Sequence, residues 1–419
     1  MSTWSRALAA LSLSVAIAPA CRTEPRNRGA KSASGGGGAS SSRPAAHEGG
    51  HAQEHGKVGA DDGVVFFPAG AIERLKQKSA KFDSVRARLD ASIAHARKEM
   101  GTRPNALSDI KSEGVARGKR DTGKIVAEFD KILDFALASV LTGEKGFLDQ
   151  ADTFLTAWAT TYESDGNPID EYHFVTYVMA YELVRGQLPA ASREKVGGLL
   201  LAIFDAEKEF VTRGKGFEIH GNWVSHHATL CAAIAFLRKD PEQIAYVEGV
   251  YKGQLSNNIL DAGRFGDFVK RWPKRTKEID NAPNIEVERG TTFDFVHRDA
   301  LSYHLESISA LLVTAMIAKN NGLPWLEAKG DQGQTLWWGY DFVIPYATGE
   351  KKHYEFDKTL HDPDRKNKEK RWFKPEDGLG ALTFASAVHP EYKKFRSGSL
   401  PKNDDGFICY TLQTPADEM

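Results

Sequence analysis

Cysteine is scarce in this chain: three occur among 419 residues, at Cys21, Cys231 and Cys409. That excludes a scaffold knitted by several disulfides. Charge of one sign is scarce too, with a formal net charge of -1. A global basic field for nucleic acid is therefore excluded, and no nucleic-acid partner is expected. No internal repeat of fixed period stands out, which excludes a solenoid of near-identical units. The one His-Glu-x-x-His stretch, His47 to His51, lies in a Gly-rich segment and not on a helix pattern, so it does not read as a zinc-protease helix. Asp165, Asp170, Glu171 and Asp294 offer carboxylates, but no pair is marked by spacing as the two acids of a glycoside hydrolase.

What is present is a soluble composition, 41% hydrophobic and 26% charged, long enough for one large domain or two ordinary ones. Arg6 precedes an apolar run from Ala7 to Ala18, too short to span a bilayer and typical of an export signal. Ala18, Pro19 and Ala20 then lead into Cys21. This resembles a bacterial lipoprotein cleavage box, with Cys21 as the lipidated first residue, although Ala18 stands where leucine is usual. We expect a signal peptide over 1–21, a Gly-, Ser- and His-rich tether over 22–62, and a folded domain over 63–419. His47, His51 and His55 in the tether read as solvated linker rather than as a metal site. Once exported, Cys231 and Cys409 could pair, but Cys231 lies on an apolar helix pattern where a buried thiol is common.

Beyond Gly63 the periodicity is helical. Helices are expected over Ala71–Met100, Thr122–Thr142, Lys145–Tyr162, Glu171–Arg185, Ala191–Thr212, Asn222–Arg238, Pro241–Asp261, Asp299–Asn320 and Gln334–Tyr346. Short strands are expected only near Val64–Phe67 and Gly406–Leu412. Helices joined by short Gly-, Pro- and Asn-bearing loops predict an all-α domain. Helical hairpins that close into an incomplete α/α-toroid leave a cleft suited to a polymer.

Three segments could carry chemistry. In His220-Gly221-Asn222-Trp223-Val224-Ser225-His226-His227, Asn222 and His226 share a helix face at four-residue spacing. The bland reading is that Asn222 caps the helix and the histidines satisfy buried polar groups. In Phe293 to Leu305, Arg298 offers a permanent cation for carboxylates, and Tyr303, His297 and His304 can move protons. The bland reading pairs Arg298 with Asp299 or Asp294, and Asp299 is expected to cap the helix that follows. The third segment, Pro345 to Phe356, mixes Tyr346, Lys351 and His353; aromatic rings there can stack on sugars while cations meet carboxylates.

The order of these segments resembles the alginate-lyase-like polysaccharide lyases. Asn167-Pro168, followed by a helix through Ala180-Tyr181-Glu182-Leu183, adds to the likeness, which spans roughly Thr122 to Arg365. The resemblance implies an α/α-toroid and β-elimination at a uronate of an acidic polysaccharide. It assigns carboxylate neutralisation to Asn222, to His226 or His227, and to Arg298, and proton transfer to Tyr303 as general acid and often base. On this view Trp223, His297, His304, Tyr346, His353 and Arg289 are substrate-binding candidates. The spacing departs from the family pattern. The family asparagine directly precedes the catalytic histidine, whereas Trp223, Val224 and Ser225 intervene here, so His226 and His227 both stay open. The family arginine lies six or seven residues before the tyrosine; Arg298 lies five before it, His297 takes the sixth place, and Arg289 could fold in instead. Glucuronan, alginate and mixed uronate polymers all fit. No cofactor and no catalytic metal are expected, while a structural ion stays open. The expected partner is the acidic polysaccharide, with membrane contact only through a lipid on Cys21. A toroidal glycoside hydrolase and a non-catalytic polysaccharide-binding lipoprotein are the competing readings.

Overall fold

The computed structural model describes residues 63–111, 122–214, 219–272, 276–396, 401 and 404–418. The signal, Cys21 and the tether histidines lie outside the described residues. Among the described residues, seventeen α-helices and two short two-stranded antiparallel ladders follow in order. The first half contains α1 (Ala71–Lys81), α2 (Asp83–Glu99), α3 (Thr122–Thr142), α4 (Lys145–Thr161), α5 (Pro168–Glu171), α6 (Phe174–Val184), α7 (Ala190–Arg213), α8 (Asn222–Arg238) and α9 (Pro241–Asn257). The second half contains β1 (Gly263–Arg264), α10 (Phe265–Val269), α11 (Lys277–Asp280), β2 (Glu286–Val287), α12 (Phe293–Arg298), α13 (Leu301–Asn320), α14 (Leu336–Ala347), β3 (Tyr354–Glu355), α15 (Asp362–Asn367), β4 (Arg371–Trp372), α16 (Pro375–Ala385) and α17 (Asp404–Gln413).

These helices build an incomplete α/α-toroid. The inner wall runs from α3 through α6, α8 and α13, each packed on the next, while α4, α7 and α9 lie against it from outside. Sequence explains the division. Helices α8 and α13 carry apolar or small residues on every side, the pattern of a helix enclosed by others. On α8 this includes Ala228, Ala232, Ala233 and Ala235, all fully buried. Their small size lets α13 approach closely enough for the Thr229 hydroxyl to donate to the Ala310 carbonyl at 2.9 Å and to sit 3.0 Å from the Thr314 hydroxyl. Helix α13 is apolar enough to cross a membrane, but most of it is buried inside the domain, so it is a core helix.

The ends of the described chain meet. Lys78 on α1 is buried and donates to the carbonyls of Thr411 and Thr414, at 2.5 and 2.6 Å. The expected Ala71–Met100 helix is divided at Phe82, whose backbone is extended. The expected strand at Gly406–Leu412 is part of α17 instead. Phe407, Ile408, Tyr410 and Leu412 are buried there against α1, α6 and α13, and a short apolar run is helix or strand according to what it packs on. Val64–Phe67 forms no strand either. The N–H groups of Val65, Phe66 and Phe67 donate to the Glu182 carboxylate at 2.8–3.2 Å, which takes the place of a ladder partner.

Candidate active site

The centre of the site is the joint between α12 and α13. Thr292 caps α12, its hydroxyl accepting from the Phe295 N–H at 3.2 Å. Asp299 then turns the chain with φ 52°, a left-handed conformation that aspartate tolerates better than most residues. The expectation that Asp299 caps the long helix is corrected: it ends α12, and Ala300 is the N-cap of α13. Asp299 instead holds the following arm, which spans 353–373. Its carbonyl accepts from the Phe356 N–H at 2.7 Å and from His353 Nε2 at 3.0 Å. Its carboxylate accepts from the Lys358 N–H at 2.5 Å. Lacking a capping side chain of its own, α13 borrows one from the arm: buried Glu355 accepts from the Ser302 N–H at 2.8 Å. A carboxylate at a helix N-terminus is favoured by the helix dipole.

This joint places Tyr303 in the first turn of α13, largely buried, with Arg298 and the arm around its ring. The Arg298 guanidinium carbon lies 4.4 Å from the ring centroid, Lys368 Nζ lies 5.5 Å from it, and Phe356 meets it edge-on at 6.2 Å. Arg298 pairs with neither Asp299 nor Asp294. Its Nη1 reaches both carboxylate oxygens of fully buried Asp364 at 3.2 Å. His297 stacks on Phe293 at 5.1 Å and meets His361 at 5.2 Å. Burial, then the Arg298 charge, holds the His297 imidazole well below its ordinary range, and burial with Arg298 and Lys368 holds His361 at about 3. Both rings are therefore neutral at pH 7.

Glu306 follows Tyr303 by three residues, on the same face of α13. Its carboxylate accepts from the Asn222 side-chain amide at 3.1 Å. Burial raises Glu306 to about 7, despite the opposing pull of Lys368 and Arg298. Asn222 is the first residue of α8, with Gly221 as N-cap, so the capping reading of Asn222 is corrected. A side chain at Gly221 would place a Cβ 2.7 Å from Asp294 Oδ1, so only glycine allows this approach. Asp294 accepts from Ser307 at 2.7 Å, and burial lifts it to about 6. One turn beyond Asn222, half-buried His226 stacks on Tyr172 at 4.6 Å. Its ring nitrogens make no hydrogen bond among the described residues, and burial keeps it neutral, at about 4.

The remaining candidates are placed elsewhere or are committed to packing. His227 is fully buried, with Nδ1 2.7 Å from Glu207 and Nε2 2.9 Å from the Tyr246 hydroxyl. It faces α7 and α9 rather than Tyr303. His304 is fully buried between Thr292 and the Gly339 carbonyl, at 3.0 and 2.9 Å, so it serves as a structural link. Arg289 is exposed, bonded to Asp261 at 2.8 Å and laid over Trp338 at 4.6 Å, and it makes no contact with the Tyr303 cluster. Trp223 stacks on Phe210 of α7 at 6.0 Å. Tyr346 is buried on α14, with its ring 6.4 Å from that of His353. Sequence reasoning missed Glu306, Asp364, His361 and Lys368. Glu306 was detectable as a charge on the apolar pattern of α13, three residues after Tyr303. The other three reach the site only through the fold of the arm.

Comparison with known proteins agrees with this fold. A family profile for alginate lyase matches residues 74–353. Among solved structures, an alginate lyase from Bacteroides ovatus shares 15% identity and a TM-score of 0.56, covering 84% of this chain and 99% of that one. A tyrosine-to-phenylalanine variant of alginate lyase A1-III complexed with tetrasaccharide shares 16% identity and a TM-score of 0.57, covering 85% and 96%. A histidine-to-alanine variant of the same enzyme, also complexed with tetrasaccharide, shares 17% identity and a TM-score of 0.51, covering 78% and 87%. No curated protein matches the sequence. The profile covers well over half of the chain, and the toroid of the solved lyases is the fold seen here: this protein belongs to the alginate lyase family of polysaccharide lyases.

Proposed function

We propose that this lyase cleaves alginate or a closely related uronate polymer by β-elimination at the Tyr303 cluster. The observation that carries the reading is a phenol bracketed by Arg298 and Lys368 and followed on its own helix face by Glu306, which holds the Asn222 amide. The C5 proton of a uronate is weakly acidic, and its removal needs the neighbouring carboxylate neutralised. Lys368 supplies a cation, the Asn222 amide supplies donors, and protonated Glu306 supplies one more. Donors aimed at the developing enolate-like charge stabilise the transition state more than the ground state.

The elimination then runs in balanced steps. A base takes the C5 proton, the C–H electron pair becomes the C4–C5 double bond, and the C4–O bond breaks. The departing oxygen takes a proton from the Tyr303 hydroxyl. Where the C5 proton lies on the tyrosine side, the Tyr303 phenolate serves as the base first, with Arg298 and Lys368 beside its ring. Where it lies on the opposite face, neutral His226 serves as base and Tyr303 as acid only. Arg298 acts chiefly through Tyr303, since Asp364 already holds its charge. His227, His304 and Arg289 take no part. We further propose that the chain is exported and tethered through Cys21, so that it meets polymer outside the cytoplasm.

The test is a panel of alginate, polymannuronate, polyguluronate, glucuronan and a neutral glucan, followed by ultraviolet absorbance and by reducing ends. Elimination yields both signals in step on an acidic polymer. Reducing ends without absorbance would mean hydrolysis, and neither signal on any acidic polymer would overturn the proposal.

A further inference from the structure

Away from the Tyr303 cluster, α7 and α8 bury a group of side chains that the elimination does not use. Glu207 of α7 and His227 and Cys231 of α8 are all fully enclosed. Cys231 Sγ lies 3.5 Å from His227 Nδ1 and 3.7 Å from Glu207 Oε2, and those two atoms lie 2.7 Å apart. The second Glu207 oxygen, Oε1, is buried with no hydrogen-bond partner among the described residues. A carboxylate with an idle oxygen and no cation beside it is costly in an enclosed site.

We propose that Glu207, His227 and Cys231 bind one zinc-type divalent ion that fastens α8 to α7. A thiolate, an imidazole and a carboxylate are the donor mix of zinc. Bonds of about 2.0–2.3 Å in a tetrahedron set ligand atoms about 3.3–3.8 Å apart. The two sulfur distances already fit, and the His227–Glu207 pair opens by about half an ångström as the ion enters. Glu207 Oε1, held close to Oε2 in the same carboxylate, turns toward the ion as a second, bidentate contact and not as a vertex of its own, so the protein supplies three ligands. The protons balance. The Cys231 thiol loses its proton to solvent as it forms the thiolate, and Glu207 binds as the carboxylate. His227 shifts its remaining proton to Nε2, where the Tyr246 hydroxyl oxygen at 2.9 Å accepts it and fixes the ring. The ion sits on the outer side of α8, one residue along from His226, so it acts on the helix that carries Asn222 and His226 and touches no substrate.

Three measurements on the full chain test this. Protein purified without chelator is expected to retain close to one zinc per chain by elemental analysis. After stripping, cobalt(II) is expected to bind with a near-ultraviolet thiolate-to-metal band, and zinc titration in weak buffer to release the Cys231 thiol proton. Cys231→Ser should abolish the cobalt band. Where that variant misfolds, Glu207→Gln should weaken retention at least tenfold with its circular dichroism unchanged. Folded wild-type protein that retains no metal, gives no cobalt band and releases no protons overturns the proposal. Lyase activity on alginate is measured separately, so loss of the metal reading leaves the elimination reading standing, and the reverse.

Discussion

The guanidinium of Arg298 lies over the ring of Tyr303, 4.4 Å from guanidinium carbon to ring centroid, while its nitrogens hold the buried carboxylate of Asp364. The phenol therefore carries a fixed cation on its face, whatever the substrate does. Tyr303→Phe keeps the ring, its stacking and its burial, and removes only the hydroxyl. We expect a loss of about 10²–10⁴ in kcat with an unchanged melting curve, read as initial ultraviolet absorbance on the best polymer of the panel. Turnover within a few-fold of wild type would exclude Tyr303 as the proton-transfer group.

Glu306 predicts a pH dependence of binding. Burial raises it to about 7, so it is protonated and donating below that pH, and ionised and repelling above it. KM should rise roughly tenfold between pH 6 and pH 8, about 1.4 kcal/mol. Glu306→Gln keeps a donor at all pH values and should flatten that rise. A variant profile as steep as the wild type would assign the dependence to another group.

Lys368 and Asp364 occupy one arm and should fail in different ways. Lys368→Met removes a half-buried cation while the Arg298–Asp364 pair stays in place, so KM should increase about tenfold with the melting temperature nearly unchanged. Asp364→Asn strands the buried Arg298 charge, and breaking such a pair costs about 3–5 kcal/mol. Denaturant titration of both variants beside their kinetics checks the separation; equal stability losses in the two would refute it.

Arg289→Ala should leave kcat/KM within about twofold. An exposed pair such as Arg289–Asp261 contributes about 0.2–1 kcal/mol. A hundredfold loss of activity would return Arg289 to the site.

Acid should weaken the fold through His304. Burial lowers it to about 4 from 6.5, so its contribution is complete above pH 6.5 and is lost as pH falls toward 4, about 3 kcal/mol in all. Asp294, raised to about 6, works in the opposite sense. The informative quantity is therefore the difference between wild type and His304→Gln, which should lose less stability between pH 6.5 and pH 4. Parallel curves would show that His304 does not titrate with unfolding.

Helices α3 and α8 were legible to the residue, because a polar or glycine start precedes a long apolar period in each. Helix α17 was misread as a strand, because its apolar run of seven residues has no direction until α1, α6 and α13 enclose it. The site divided the same way. Arg298 and Tyr303 were legible because one short segment carries both. Asp364 joins Arg298 across 66 positions, and neither local spacing nor periodicity records such a contact. The two histidines of α8 could not be told apart by spacing. Burial separated them, since His227 turns toward Glu207 and His226 toward Tyr172.

The arm spanning 353–373 is joined to the ring at defined points: the His297 carbonyl, the Arg298 guanidinium through Asp364, the Asp299 carbonyl and carboxylate, and Glu355 on the first turn of α13. It brings Asp364 and Lys368 to a tyrosine that the ring itself supplies. In the proposed mechanism the Lys368 cation and the Tyr303 hydroxyl therefore reside on separable parts of the chain. On that proposal, an exchange of the arm that keeps Glu355, Asp364 and the backbone contacts to His297 and Asp299 should change which acidic sugar is preferred, while the toroid and its phenol stay as they are.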